Sequence, residues 1–310
     1  MDPHAINKVL VAIDGSDRSL RTVKYIAGLK GLVNAEIHLF HVFQHIPESH
    51  YDLAREPSSI RMLGSMVGWE QHQRHQIENH MKKCRDILLA ADFDPQRVKE
   101  MIAKRRQGVA RDIIAAAQEG YDAVFIRRRG MTALAGVVMG SVAFKLLDGI
   151  HQAPLVFAGR KPDNRRILIG MDLSENALRA VAFVGRMTRG TGCKVALAAV
   201  MRRDQFLRED DGSEENAGAK TDFGRAITDA FEKARVCLSS YGFDPESVAS
   251  ELITGAQSRA GALVELAEKG EYHTVVIGRK GVSSLDEFLI GRVSRKILYV
   301  GRKHHVWIVD

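Results

Sequence analysis

Cysteine is scarce in this chain. Cys84, Cys193 and Cys237 are an odd number, widely spaced, and each falls inside an apolar or helical pattern. That argues against a disulfide framework and predicts small buried or half-buried thiols in a reducing cytoplasm. Aromatic residues make up only 6% of the chain, and basic residues are scattered rather than interleaved with them. A stacking surface for nucleic acid is therefore not expected. No run of about 18 apolar residues exists, and Met1-Asp2-Pro3-His4 passes almost at once into a strand pattern. Neither a membrane span nor a cleaved export signal is expected, which points to the cytoplasm.

What the chain does have is a repeat. Val275-Val276-Ile277-Gly278-Arg279-Lys280-Gly281 reappears as Val124-Phe125-Ile126-Arg127-Arg128-Arg129-Gly130, at an offset of 151 that also relates Gly140 to Gly291. The opening segments match as well, Lys8–Ser16 against Arg166–Ser174, at an offset of 158. An indel between the two anchors absorbs the difference. Residues 44–68, with Pro47, Pro57, Gly64 and Gly68, and residues 202–220, rich in charge, read as long loops or lids. Turn residues at 159–164 place a boundary there, giving domains at 1–160 and 161–310. The first carries 22 Lys and Arg against 17 Asp and Glu, the second 23 against 21. A modest positive balance of this kind suits phosphate ligands.

Periodicity predicts the same order in each half. Strands fall at Lys8–Ile13, Glu36–Phe43, Val98–Ala103, Ala123–Arg127 and Pro154–Ala158, with helices at Ser19–Lys30, Trp69–Ala91, Val109–Gln118 and Val142–Asp148. The second half repeats this from Arg166–Met171 to His305–Val309. Strands separated by helices imply parallel pairing with right-handed crossovers, so an α/β fold with a five-stranded parallel sheet in each half, covered by helices on both faces.

Such sheets bind ligands beyond the carboxyl ends of the strands, where the strand order reverses. Asp14 and Asp172 end the first strands, and their carboxylates are expected to meet a ribose, a base or a metal there. After the fourth strand of the second half, Gly278 and Gly281 flank a loop able to bring backbone N–H groups to a phosphate. Gly291 then opens a helix whose N-terminus adds positive potential, and Ser294 in its first turn is a candidate hydroxyl donor. The first-half counterparts are Arg127, Gly130, Gly140, Ser141 and Val142.

These residues resemble the universal stress protein family, over essentially the whole chain as two tandem domains. The resemblance implies Rossmann-like domains of the adenine nucleotide alpha hydrolase-like kind. ATP-binding members carry glycine, two residues, glycine, nine residues, then glycine and a serine or threonine. The second half has Gly278, Gly281 and Gly291 at those spacings but Arg292 in place of the hydroxyl. The first half has Gly130, Gly140 and Ser141 but Arg127 in place of the first glycine. Arg127 adds bulk where a glycine lets ligand approach, whereas Arg292 is itself a cation able to meet phosphate. The second half is therefore the stronger site, with Asp172, Ile277, Gly278, Lys280, Gly281, Gly291, Arg292, Val293 and Ser294 around the ligand and, by resemblance, Val200 against adenine. Asp14 and Val42 are the corresponding first-half residues. The family also implies pairing of domains through the last strand, between the halves and between whole chains.

The arginine triplet Arg127–Arg129 reads as a phosphate clamp, an interface donor or a solvated loop. His72 and His75 share a helical face at ligand spacing, but no cysteine or carboxylate cluster joins them, so no metal site is expected. No serine relay or hydrolase elbow is present. The expectation is a cytoplasmic tandem protein that binds ATP, with or without Mg²⁺, and acts as a regulatory or protective module with a protein partner. The alternatives are an interaction module with degenerate pockets, or a weak Mg²⁺-dependent ATPase.

Overall fold

The computed structural model describes residues 5–44, 57–128, 139–160, 165–203, 214–281, 290–301 and 303–310, with the side chains of 57–65 and 214–221 outside the description. The first half runs β1 (Lys8–Ala12), α1 (Asp17–Gly28), β2 (Glu36–Phe43), α2 (Pro57–Leu89), β3 (Val98–Lys104), α3 (Val109–Ala117), β4 (Ala123–Arg127), α4 (Ser141–Gly149) and β5 (Leu155–Ala158). The second runs β6 (Arg166–Met171), α5 (Glu175–Thr188), β7 (Lys194–Arg202), α6 (Glu214–Ser240), β8 (Val248–Ala256), α7 (Arg259–Lys269), β9 (Thr274–Gly278), α8 (Arg292–Val300) and β10 (His305–Val309).

The strands form one ten-stranded sheet in the order β3-β2-β1-β4-β5-β10-β9-β6-β7-β8. Within each half all pairs are parallel. The halves join through an antiparallel pair, Phe157 with Val306, Val156 with Trp307 and Leu155 with Ile308. The expected pairing through the last strands is thus present inside one chain. Apolar runs such as Val9-Leu10-Val11 and Val275-Val276 are buried on both faces, as a sheet sandwiched by helices requires.

One face packs on α1, α2, α5 and α6, and the other on α3, α4, α7 and α8. Both cores cross the seam. Val156 of the first half and Trp307 of the second belong to one apolar cluster, Leu155 and Ile308 to the other. The edge segments differ as the sequence indicates. Trp307 is fully buried, its Nε1 donating to the Tyr25 hydroxyl at 2.9 Å, and the Tyr25 ring stacks on His305 at 3.7 Å.

The long helices correct the loop reading of 44–68 and 202–220. Helix α2 starts at Pro57 and α6 at Glu214, while 45–56 and 204–213 lie outside the described residues. Proline is tolerated in a first helical turn, where its missing N–H has no partner to lose. Gly68 sits inside α2, where a glycine costs only about 1 kcal/mol relative to alanine. Turn-forming composition therefore misled at both places. Cys84 and Cys193 are buried and Cys237 is half-buried, none of them in a disulfide, and burial pushes the Cys84 thiol up to about 12.

Candidate functional site

The order within each half reverses between β1 and β4, and between β6 and β9, so the crevices open beyond Asp14 and Asp172. Each aspartate first serves its own turn. Asp172 Oδ1 accepts from the Ser174 N–H at 3.0 Å and from the Ser174 hydroxyl, and Asp14 Oδ1 accepts from the Ser16 N–H at 3.0 Å and its hydroxyl at 2.6 Å. Short carboxylate side chains favour this turn because they replace a backbone acceptor. Only the second oxygen remains for a ligand. The Asp-x-Ser spacing stands in both repeats and is the sequence signal for the turn roles of Ser16 and Ser174.

The glycines of the second-half loop fit it against the protein. A Cβ on Gly281 would collide with Asp172 Oδ2, and one on Gly278 would lie 2.9 Å from Asn176 Cβ. The Asn176 amide donates to the Lys280 carbonyl at 3.3 Å. Lack of side chains thus lets the loop close onto Asp172 and the start of α5. Gly291 caps α8, its N–H donating to the Arg279 carbonyl at 2.8 Å. The N–H groups of Arg292, Val293 and Ser294, in the first turn, have no carbonyl within the helix to receive them. Arg292 is exposed and Val293 half-buried.

Ser294 corrects an expectation. It is 3% exposed, and its hydroxyl faces the Gly278 carbonyl at 2.8 Å and the Arg279 carbonyl at 3.1 Å. With one proton, already directed at the loop, it braces the loop rather than presenting a donor to phosphate. Val200 and Val42, each 7% exposed, and Ile277, 4% exposed, pack into the core cluster on the α3, α4, α7 and α8 face. Beside Asp172 a cleft of about 220 Å³ is lined by Leu173, Ser174, Leu178, Asp229 and Lys233. The four α6 residues in that lining, Ala226, Asp229, Ala230 and Lys233, have no signal in the motif spacing.

In the first half, Gly140 caps α4 and its N–H donates to the Arg128 carbonyl at 2.8 Å, repeating the Gly291 geometry, with Ser141 and Val142 in the first turn. Arg127 is half-buried and donates through Nη1 to the Arg18 carbonyl in the first turn of α1. Gly278, at the equivalent position, lies directly against Asn176 instead. Gly130 and Arg129 lie outside the described residues.

The middle arginine of each loop turns away from its crevice. Arg128, 6% exposed, donates to the carbonyls of Gly301 at 2.7 Å and His304 at 3.0 Å, just beyond α8. Arg279, 1% exposed, donates to Leu147 at 2.6 Å and to Ile150 at the end of α4, and its Nε stands 2.6 Å from Asp310 Oδ2. Each half thus caps the carboxyl end of the other half's last helix with a cation, where the helix dipole is negative. Burial, with repulsion from Arg160, lowers Arg128 to about 10, still charged at neutral pH. The interface reading holds for Arg128. Its reciprocity with Arg279 was encoded in the offset of 151.

Two histidines stand near Asp14. His41 Nδ1 donates to the Ile13 carbonyl at 2.8 Å, and His80 Nε2 donates to Ser19 Oγ at 2.8 Å, since that hydroxyl donates to the Ser16 carbonyl. Burial depresses both imidazole pKa values from 6.5, Asp14 opposing. A depressed pKa means stability present above the unfolded value and lost as pH falls toward the folded one. The free energy of unfolding is expected to decline as pH drops below about 6.5, with a flatter slope in a His41→Asn, His80→Asn double variant. Urea titrations at a series of pH values check this. Among the described residues no group of three or more His, Cys, Asp or Glu is placed to hold a metal, and His72 Nε2 contacts Gln76 Nε2 at 2.9 Å.

A family model described as the universal stress protein family matches twice, at residues 5–156 and 163–303. The chain belongs to the universal stress protein family. Among solved structures, a universal stress protein from Archaeoglobus fulgidus DSM 4304 is 16% identical, with 98% of each chain covered and a TM-score of 0.60. A protein described as a universal stress protein from Pseudomonas aeruginosa UCBPP-PA14 is 15% identical, covering 99% of this chain and 94% of that one at a TM-score of 0.57. At those identities the likeness establishes the shared Rossmann-like fold, in two tandem copies. A comparison with curated proteins found no match. No described helix of this universal stress protein is long and apolar enough to cross a membrane.

Proposed function

We propose that this universal stress protein is an ATP-binding regulatory module, not a metabolic enzyme, and that its working nucleotide site lies in the second half. The supporting observation is the closure of Gly281 onto Asp172, which makes the loop and the carboxylate one wall in front of the N-terminus of α8. Asp172 Oδ2 is the acceptor left for a ribose hydroxyl. The Lys280 and Gly281 backbone, the first-turn N–H groups of α8 and the Arg292 guanidinium would receive phosphates. Mg²⁺ would arrive on the phosphates, since the described residues offer no ligand cluster of their own. The cleft of about 220 Å³ adjoins this wall only through Asp172 and is smaller than the roughly 300–1,000 Å³ of sites for drug-sized ligands. On this reading, ligand would order the surface beside the crevice for a protein partner.

A second reading has an observation of its own. The Ser294 hydroxyl is committed to the loop, and Arg127 occupies the first-half glycine position. Both favour an interaction module with degenerate pockets. Calorimetric titration of ATP with Mg²⁺ separates the two. Nucleotide-freed wild-type chain is expected to bind, and Gly281→Arg to abolish binding, while Asp172→Asn, which keeps the loop's packing, weakens it about tenfold or more. Circular dichroism establishes that each variant is folded. Wild-type chain that takes no ATP would leave the interaction module standing.

A further inference from the structure

The ten-stranded sheet ends at β3 and β8, and its two edges are not alike. Phe93-Asp94-Pro95 leads into β3 and Phe243-Asp244-Pro245 into β8, an offset of 150 that matches the strands residue by residue. On that match Lys99, Glu100, Lys104, Arg105 and Arg106 correspond to Ala249, Ser250, Thr254, Gly255 and Ala256. Glu251, in the place of Met101, is the one charged residue in β8. Lys99 also pairs with Glu36 on the neighbouring strand, and Ala249 has no charge with which to repeat that pair. Charged side chains, lysine above all, keep an edge strand from pairing with another chain. β3 carries that protection. β8 lacks it and is the longer of the two, nine residues against seven.

The backbone on the outer side of β8 follows from its hydrogen bonds. In the first half the Ile37 N–H donates to the Arg97 carbonyl at 2.7 Å, so Arg97 faces β2 and Val98 turns its groups outward, where Arg85 donates to the Val98 carbonyl at 3.2 Å. The second half repeats this. Arg235 donates to the Val248 carbonyl at 2.5 Å and to the Ser250 hydroxyl at 2.9 Å. Backbone groups alternate in direction along a strand, so Ser250 and Leu252 turn theirs to the same outer side as Val248. Leu252 is 37% exposed and stands in register with Ala199, on the sheet face that α5 and α6 cover. Beyond Ile253 the register shifts between Val200 and Arg202, and Gly255 has a φ of +70°, so regular pairing ends there.

We propose that β8 is the surface through which two copies of this chain join edge to edge, as an antiparallel pair about a two-fold axis at Leu252. Charge and hydrogen bonding select that register. Centred on Leu252, the two leucines exchange backbone hydrogen bonds, and Glu251 of each copy lies opposite Ile253 of the other. Centred on Glu251, two carboxylates meet directly, which is destabilising. Centred on Ser250, pairing needs the Val248 carbonyl that Arg235 already holds. A second copy is the occupant because its β8 is already extended, whereas a free peptide has first to be ordered. The charged β3 edge does not serve as the complement, so the contact is isologous and closes at a dimer instead of running on into a filament. The seam of β5 and β10 is itself an antiparallel join of two such halves, and it uses up both last strands. Of the sheet's two edges, β8 is the one left open to another chain.

Sedimentation velocity on the full-length chain, over a series of concentrations, tests this. Wild type is expected to sediment as a dimer across the micromolar range. Leu252→Lys, which sets two ammonium groups on the axis, is expected to weaken association about tenfold or more. Glu100→Lys, on the β3 edge, is expected to leave it unchanged, and thermal transitions by circular dichroism establish that both variants are folded. Cross-linking reads the register without depending on either. Hydrogen-bonded partners in an antiparallel pair stand about 5.5 Å apart at Cα, within disulfide reach, so Leu252→Cys is expected to form a covalent dimer on mild oxidation. Ala249→Cys, roughly 20 Å from its symmetry mate in this register, is expected to form none. The proposal is overturned by a wild-type chain that stays monomeric, including one that instead takes up an extended peptide along β8, or by species that grow beyond the dimer. It is equally overturned if Leu252→Lys associates as tightly as wild type, or if Ala249→Cys cross-links in preference to Leu252→Cys.

Discussion

Arg279→Ala is expected to lower the free energy of unfolding by about 3–5 kcal/mol, the range for removing one member of a buried charge pair. The side chain is 1% exposed and holds two carbonyls at the end of α4 as well as Asp310. Truncation leaves those acceptors facing a void that water reaches poorly. Burial alone pushes the Arg279 pKa down and that of Asp310 up, and their proximity opposes both shifts. The pair is therefore strained by desolvation and held by geometry, so losing one partner costs more than the pair itself contributes. Lysine is a poor substitute, since a single ammonium cannot reproduce the fork that meets Leu147 and Ile150. Urea unfolding of wild type, Arg279→Ala and Arg279→Lys measures this. A loss in Arg279→Ala below about 1 kcal/mol, the scale of an ordinary point substitution, would show that the carbonyls find water.

Trp307→Ala carries a comparable expectation, about 3–5 kcal/mol, as for other buried tryptophans truncated to alanine. Trp307 is fully buried at the seam, donates to Tyr25 of the first half, and meets Phe183 of the second edge-on at 5.5 Å. Its loss opens a cavity between the halves rather than within one. Because both apolar clusters cross the seam, the two halves are expected to unfold in a single transition, and the variant should move that transition without splitting it. Trp307→Phe should lose less, retaining much of the packing but not the hydrogen bond. Far-ultraviolet circular dichroism and fluorescence, followed together in urea, test this. The other tryptophan, Trp69, is 56% exposed, so the buried fluorescence reports on the seam. Two separate transitions would show that the halves are thermodynamically independent.

Local pattern carried most of the fold. The apolar runs from Lys8 to Ala12 and from Thr274 to Gly278 became strands because a sheet covered on both faces needs nearly unbroken hydrophobic segments. The repeat made the second half's order follow from the first. Composition misled at Pro57 and Gly68, because proline is tolerated in a first helical turn and a single glycine inside a long helix costs little. The candidate site was legible only as far as single positions could be placed at strand ends. Asp172, Gly278, Gly281 and Gly291 stand together as their spacing implied. The direction of a side chain depends on distant neighbours, which spacing along the chain does not encode. The Ser294 hydroxyl braces the loop instead of facing a ligand, and Arg279 points through the molecule to residues some 130 positions earlier. Arg128, one of three adjacent arginines, became distinguishable from Arg127 only when the partner helix was in place.

The antiparallel join between β5 and β10 has a directional consequence. Every strand of the first half runs one way and every strand of the second runs the other, so the two crevices open at opposite rims of the sheet. No small molecule spans both. The protein is two-ended, and a macromolecule that reads one end is oriented away from whatever occupies the other. The ends nonetheless share a frame, because the loop at each rim clasps the far tip of the helix that begins at the opposite rim. Each mouth is therefore tied by an arginine to the end of the helix whose first turn stands at the other.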